Sequence, residues 1–341
     1  MNLIEQHWYR PRGWLTALLA PLEGLFALLS AGRRLAFRRG WKQSEKLAVP
    51  VVVIGNINVG GVGKTPLTQS LLRDFAARGV KVGVISRGYG GQAQTPTEAR
   101  PGSDPALVGD EPLLLAACGA PVVVGRDRVA AGRHLLALHP EVRLILSDDG
   151  LQHYRLARDL EIAVLDGRRG LGSGRLLPNG PLREPASRLR SVDAVVVNGS
   201  GSGAALPLPE DLPRFAMSLS PAALHALDDP SRQRCAADFA GMRVAALAGI
   251  GHPQRFFDTL AAMGVAADRQ LSFPDHHPFA AEDIPADADA VIVTSKDAVK
   301  LARALHDAAQ RARLWVLPVQ ATLAPDLCGW ILARLKMEHG R

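Results

Sequence analysis

Between Trp14 and Ala31 the chain reads WLTALLAPLEGLFALLSA, an almost unbroken apolar run with a single charge, Glu23, and arginines on either side. Beyond Val49 the pattern changes. Short aliphatic runs at Val51–Ile54, Lys81–Ile85, Val122–Val124, Leu144–Ser147, Ile162–Leu165 and Ala194–Val197 alternate with stretches of helical spacing. These runs are apolar nearly throughout instead of alternating, as strands covered on both faces are. The succession predicts an α/β fold with a mostly parallel sheet. A second set follows at Val244–Ala248, Ala290–Thr294 and Leu314–Val319, again with helices between. The segment Gly199–Pro213 (GSGSGAALPLPEDLP) has the composition of a joint. The expected organisation is an N-terminal helical segment over 1–46, a first lobe over 47–200 and a second α/β lobe over 201–341.

Charge sharpens the picture at the N-terminus. Residues 1–46 carry eight basic residues (Arg10, Arg12, Arg33, Arg34, Arg38, Arg39, Lys42, Lys46) against Glu5, Glu23 and Glu45. That segment therefore holds +5 of the chain's net +7, together with Trp8, Trp14 and Trp41. Basic residues gathered around an apolar helix point to anionic lipid, whereas a nucleic-acid binder spreads them over a folded face. The arginines, and the want of a small-residue cleavage site, argue against a signal peptide. Spanning a bilayer takes ~20 apolar residues, and Pro21, Glu23 and Gly24 interrupt this run. A helix lying in or dipping into the interface fits best, with a span or an ordinary packed helix as the alternatives. Cys118, Cys235 and Cys328 are odd in number and show no metal spacing, so they read as buried thiols in a reducing compartment.

The chemistry starts where Val51–Val53 runs into GNINVGGVGKTP. Asn58, Val59, Gly60, Gly61, Val62, Gly63, Lys64 and Thr65 form a Walker A loop, with Asn58 in place of the first glycine. Asn tolerates left-handed backbone angles, which keeps the loop feasible. The glycines let backbone N–H groups close on phosphate oxygens, Lys64 reaches the β/γ-phosphates, and the Thr65 hydroxyl suits Mg²⁺. The run Leu144–Asp149 ends an apolar strand in two carboxylates, where enzymes of this type hold Mg²⁺. Two further acidic places are Gly109-Asp110-Glu111-Pro112 and Phe273-Pro274-Asp275-His276-His277-Pro278-Phe279. Asp110 reads as a general base or as a helix cap, and His276 beside Asp275 as a proton-handling group or a local hydrogen-bonded loop. No further ligand spacing supports zinc at the histidine pair.

Taken together, GNINVGGVGKTP, SRGYGG (Ser86–Gly91), GDEP, VVVGRDR (Val122–Arg128), DDGLQH (Asp148–His153), LLPNGPLREP (Leu176–Pro185), FPDHHPF and TSKDAVK (Thr294–Lys300) resemble the tetraacyldisaccharide 4'-kinase family in type and order. The resemblance implies a P-loop NTPase-type sheet, two α/β/α lobes and an N-terminal membrane-associating helix. It implies transfer of the ATP γ-phosphate to the 4'-hydroxyl of a tetraacylated disaccharide 1-phosphate, a lipid A precursor, at the cytoplasmic face of the bacterial inner membrane. By position it casts Asp110 as catalytic base with His276 as partner and Lys64 as a catalytic phosphate contact. Thr65, Asp148, Asp149 and Glu111 become the Mg²⁺ set, with Asp275 and Glu184 behind them. Arg87, Arg126, His153 and Arg183 are candidates for the acidic headgroup. Lys296-Asp297 resembles the base-reading pair of GTPases, although the family is one of ATP users.

Two other readings compete with a lipid kinase. One is a P-loop ATP-dependent ligase with a soluble acceptor, against which the Trp/Arg-flanked helix argues. The other is a nucleotide-switch protein with a membrane-bound partner, which would have no use for Asp110 as a proton acceptor.

Overall fold

A computed structural model describes residues 3–199, 208–275 and 277–337. Two helices come first, α1 (Leu3–Tyr9) and α2 (Gly13–Arg38). The first lobe then runs β1 (Val51–Gly55), α3 (Lys64–Ala77), β2 (Val82–Ser86), β3 (Thr97–Ala99), α4 (Pro105–Val108), α5 (Asp110–Ala116), β4 (Val122–Val124), α6 (Arg128–Leu138), β5 (Leu144–Asp148), β6 (Leu160–Asp166) and β7 (Ala194–Asn198). After it come β8 (Arg214–Pro221), β9 (Leu224–Ala226), β10 (Gln233–Arg234), β11 (Val244–Ala248), α7 (Pro253–Ala262), β12 (Arg269–Ser272), β13 (Ala290–Thr294), α8 (Ser295–Ala304), α9 (Ala308–Ala312), β14 (Leu314–Leu317), β15 (Val319–Ala324) and α10 (Leu327–Leu335).

Nine strands form one sheet in the order β15-β8-β7-β6-β1-β5-β2-β4-β3, parallel except for the edge strands β3 and β15. Six form another, β10-β9-β14-β13-β11-β12, with β11 to β14 parallel and β9 and β10 antiparallel at one edge. Side chains of the central strands are buried to both sides. Val52 and Ile54 pack with Leu67, Leu71 and Phe75 of α3, whereas Val51 and Val53 face Val129 and Leu135 of α6. This two-sided burial is why β1, β2 and β5 read as continuous apolar runs.

The sheets do not divide at residue 200 as the sequence suggests. Strands β8 and β15 and helix α10 lie beyond that point yet complete the first sheet and its α3 face. The cause is local: β8 alternates exposed and buried positions, and Pro318 breaks the expected Leu314–Val319 strand so that Val319 starts a strand of the other sheet. Of the joint expected at 199–213, residues 200–207 lie outside the described residues. Of the three thiols, Cys328 is buried and Cys118 half-buried, but Cys235 is exposed at the start of a surface turn, so the buried reading fails there.

Helix α2 lies along the first lobe with one side held and one side open. Glu23, which seemed to interrupt an apolar run, accepts from Leu176 N (3.0 Å) and Asn179 Nδ2 (2.7 Å) and pairs with Arg175 at 3.1 Å. Asn179 is fully buried and also meets His7 of α1 at 2.9 Å. On the side opposite Glu23, Trp14, Leu18, Leu22, Leu25 and Leu29 are all more than half exposed.

Candidate active site

The phosphate loop leaves the sheet between β5 and β6 and turns into α3. Gly60 and Gly63 take left-handed angles (φ +105° and +95°). At Gly63 a Cβ would lie 2.6 Å from Asn198 Nδ2 and 2.9 Å from Met217 Cε, so only glycine fits. Asn198, buried at the end of β7, donates to the Val62 carbonyl at 3.0 Å and ties the loop to a strand two places from β1. Asn58 behaves differently from expectation: its φ is not positive, and its side chain instead donates to the Gly170 carbonyl at 2.9 Å. Near the loop the left-handed angle falls instead on Asp149, at φ +49°. From the far side the Leu176–Pro185 segment braces the loop, since Val59 N donates to Pro181 O (2.8 Å) and Arg183 N to Ile57 O (2.6 Å).

Lys64 Nζ donates to Asn56 Oδ1 at 3.2 Å and lies 3.4 Å from Asp149 Oδ1. Asp149 also pairs with Arg183 at 3.3 Å. Burial pushes the Asp149 carboxyl up, but Lys64 and Arg183 outweigh it and hold it below the usual range. Asp148 behaves oppositely. Burial, then the nearby Glu111 charge, raises it to about 7, against the weaker pull of Lys64. Its Oδ1 is buried with no hydrogen-bond partner among the described residues. Such an oxygen, beside Asp149 and with Thr65 opening α3, fits a hard cation held by one or two carboxylates plus phosphates. No group of three His, Cys, Asp or Glu side chains forms a protein-only metal cage among the described residues.

The sign of the Asp148 shift gives a test. A carboxyl at 3.8 in the unfolded chain and about 7 when folded favours folding while protonated, and its contribution falls as pH rises through that window. Without nucleotide or metal, Asp148→Asn should melt above the parent at pH 8, and the gain should shrink toward pH 4. An equal gain at both values in thermal melts would mean burial does not govern this group.

Asp110 is buried at the start of α5, where Gly109 (φ +88°) packs so tightly on the Tyr89 carbonyl that a Cβ would stand 2.6 Å from it. It is not the cap of its helix, a place Gly109 takes; its Oδ1 accepts from the adjacent Glu111 N at 3.0 Å. Two lysines of α8 face it from the second sheet. Lys300 Nζ lies 3.6 Å from Asp110 Oδ2, and Lys296 Nζ lies 4.0 Å from Asp110, 3.3 Å from Glu111 and 3.1 Å from Asp275. Burial works against the Lys296 charge, but Glu111, Asp110 and Asp275 outweigh it and raise its pKa. Asp297, fully buried, accepts from Gly249 N (3.0 Å) and Thr294 Oγ1 (2.7 Å) within the second lobe, so of the Lys296-Asp297 pair the lysine makes the lobe contact and the aspartate ties β11 and β13 to α8. His276 lies outside the described residues.

The headgroup candidates divide. Arg87 and Arg126 line one cavity of about 300 Å³ with Gly88–Gly91 and Ala93. His153 is half-buried, accepting from Arg128 N at 3.4 Å, with burial and then Arg128 lowering its pKa to about 4. Arg183 is the partner of Asp149. Glu184 sits deeper, bound by Tyr154 Oη and by Gln152 Nε2 (2.9 Å), and Gln152 also donates to the Asn56 carbonyl at 3.1 Å. It thus supports the phosphate loop from behind. Sequence reasoning missed Arg128, which is buried and donates to the carbonyls of Gly125 (2.7 Å) and Asp148 (3.3 Å). It also missed Lys300. Each stands inside a quoted motif, but a lone basic residue gives no sign of burial.

A family model described as tetraacyldisaccharide-1-P 4'-kinase matches residues 15–336. The chain belongs to that family. A tetraacyldisaccharide 4'-kinase of Chromobacterium violaceum is 83% identical over 341 residues, covering both chains completely. One of Neisseria gonorrhoeae is 49% identical across 98% of this chain and 96% of its own. Among solved structures, an Aquifex aeolicus LpxK in complex with ATP superposes with a TM-score of 0.77 at 27% identity, covering 94% of this chain and 99% of that one. The family's motif order thus rests on the geometry above: Walker loop, paired acids and the α5 carboxylates meet at the carboxyl edge of one sheet.

Proposed function

We propose that this chain transfers the ATP γ-phosphate to the 4'-hydroxyl of a tetraacyldisaccharide 1-phosphate, as its family does, working on the cytoplasmic face of the inner membrane with Asp110 as proton acceptor. The observation that carries the reaction is the Lys64–Asp149–Asp148 constellation at the end of β1 and β5 with buried Asp110 beside Glu111. The 4'-oxygen bonds to the γ-phosphorus as the bond to the bridging oxygen of ADP breaks, and the hydroxyl proton passes to Asp110. Lys300, with Lys296 alongside, compensates the Asp110 charge where water is excluded. Mg²⁺ held by Thr65, Asp148 and Asp149 would neutralise the β/γ oxygens, with Glu111 near. Arg87 and Arg126 in their cavity suit the acceptor's 1-phosphate, since guanidinium groups match phosphate geometry. The ligase and switch alternatives fall with the family match. Transfer of labelled phosphate from ATP to the lipid disaccharide in micelles tests the reading, and ATP hydrolysis with no labelled lipid would refute it.

The membrane reading is supported by α2. Its apolar stripe is open and its Glu23 side is bound to the lobe, so the helix suits the plane of the interface better than a span. Leu18→Glu with Leu25→Glu should weaken sedimentation with phosphatidylglycerol vesicles at least tenfold and leave ATP affinity unchanged. Each buried leucine contributes roughly 1.5–3 kcal/mol, so tenfold is a low bound. Undiminished vesicle binding would place the anchor elsewhere.

A further inference from the structure

Arg169 follows the end of β6 by three residues. Asp166 accepts from the backbone N–H groups of Arg168 (2.9 Å) and Arg169 (3.0 Å), and its Oδ2 takes Arg169 Nε at 3.3 Å. The stem of the side chain is thereby fixed. Its guanidinium spreads over the glycines of the phosphate loop. Nη2 donates to the Gly61 carbonyl, and Nη1 stands 3.3 Å from the point a Cβ on Gly60 would occupy. Nη1 also donates to Nε2 of His252, at 2.6 Å, and His252 opens α7 in the lobe of the second sheet. Burial and then the Arg169 charge keep the His252 pKa low, which leaves its ring nitrogen able to accept.

We propose that Arg169 is a further catalytic residue, an arginine this chain supplies in cis to the transferring γ-phosphate, and that His252 couples its placement to the second lobe. The position is the argument. Gly60 and Gly61 belong to the part of the loop whose N–H groups close on phosphate, and Arg169 touches that part alone. A guanidinium has five donors, and the three acceptors here leave others for equatorial phosphate oxygens. As the bond from γ-phosphorus to the bridging oxygen breaks and that to the 4'-oxygen forms, these donors meet the charge on the phosphoryl oxygens, and Arg169 itself exchanges no proton. Because His252 comes from the other lobe, separating the lobes releases one end of the guanidinium.

The inference rests on the kinase reading, so the parent chain is assayed first for transfer to the lipid disaccharide. If the parent transfers no phosphate, that reading fails. Given a working parent, Arg169→Ala should lower kcat about 10³-fold, the low end for such an arginine, with Arg169→Lys in between. Calorimetric ADP affinity should stay within about twofold of the parent, because ADP lacks the γ-phosphate. His252→Ala should cost roughly tenfold, and the double variant should be no slower than Arg169→Ala alone. Melting temperatures show that each variant is folded. Unchanged kcat, or ADP and ATP affinities that fall together, would make Arg169 a brace of the loop and overturn the proposal. Losses that multiply in the double variant would overturn the His252 coupling.

Discussion

Replacing Asp110 with Asn should lower turnover by roughly 10²–10⁴-fold while ATP affinity stays near that of the parent, the usual contribution of a general base. Asn keeps the shape of a side chain that is 4% exposed, so packing around Gly109 and Tyr89 is preserved. What is lost is the negative charge between Lys300 and Lys296. Those ammonium groups then lack part of their partner set, although Glu111, Asp275 and Asp297 remain within 3.5 Å of one or the other. The lobe contact should therefore persist, and the deficit should appear in kcat at saturating lipid and ATP. A variant within tenfold of the parent would remove Asp110 from the chemistry.

The companion result is Lys64→Ala, for which a loss of about 10³–10⁴-fold in kcat is expected because a positive charge on the transferring phosphoryl group disappears. The surroundings add to the damage. Asp149 would retain Arg183 as cationic partner, and Asp148 would lose a charge that now opposes its upward shift. Two carboxylates with less compensation repel the nucleotide's phosphates, so ATP affinity should fall too, unlike in Asp110→Asn. Single-turnover measurements at saturating ATP separate the two effects. Turnover close to the parent's would sink the assignment of the loop.

Strands with two buried faces were legible because their apolar runs are continuous, as at Val122–Val124 and Leu144–Ser147. Strand β8 was not, since exposed Arg214, Ala216 and Ser218 alternate with buried Phe215 and Met217. Strand β12, RQLS, lies at the edge of its sheet and carries no apolar signature at all. The site shows the same division. A contiguous loop such as Asn58–Thr65 announces its chemistry by spacing, whereas Lys300 reaches Asp110 across 190 positions of sequence and Arg169 reaches Gly61 across 108. Asn58 shows the limit of propensity: a residue suited to left-handed angles was used for a tertiary hydrogen bond instead.

The register that pairs Pro221 with Val319 has a consequence for synthesis. The polypeptide leaves the nine-stranded sheet at β8 and rejoins it at the neighbouring position only after every strand of the other sheet has been made. On the ribosome, the earlier lobe must wait with the outer edge of β8 unpaired while the later one emerges and can fold as a unit. An unpaired edge invites strangers. The alternating face of β8 offers a stray strand few apolar side chains to bury. Residues 222–318 are thus a loop in topology though a lobe in space, and a chain with them replaced by a tight turn would still possess all nine strands of the nucleotide-side sheet.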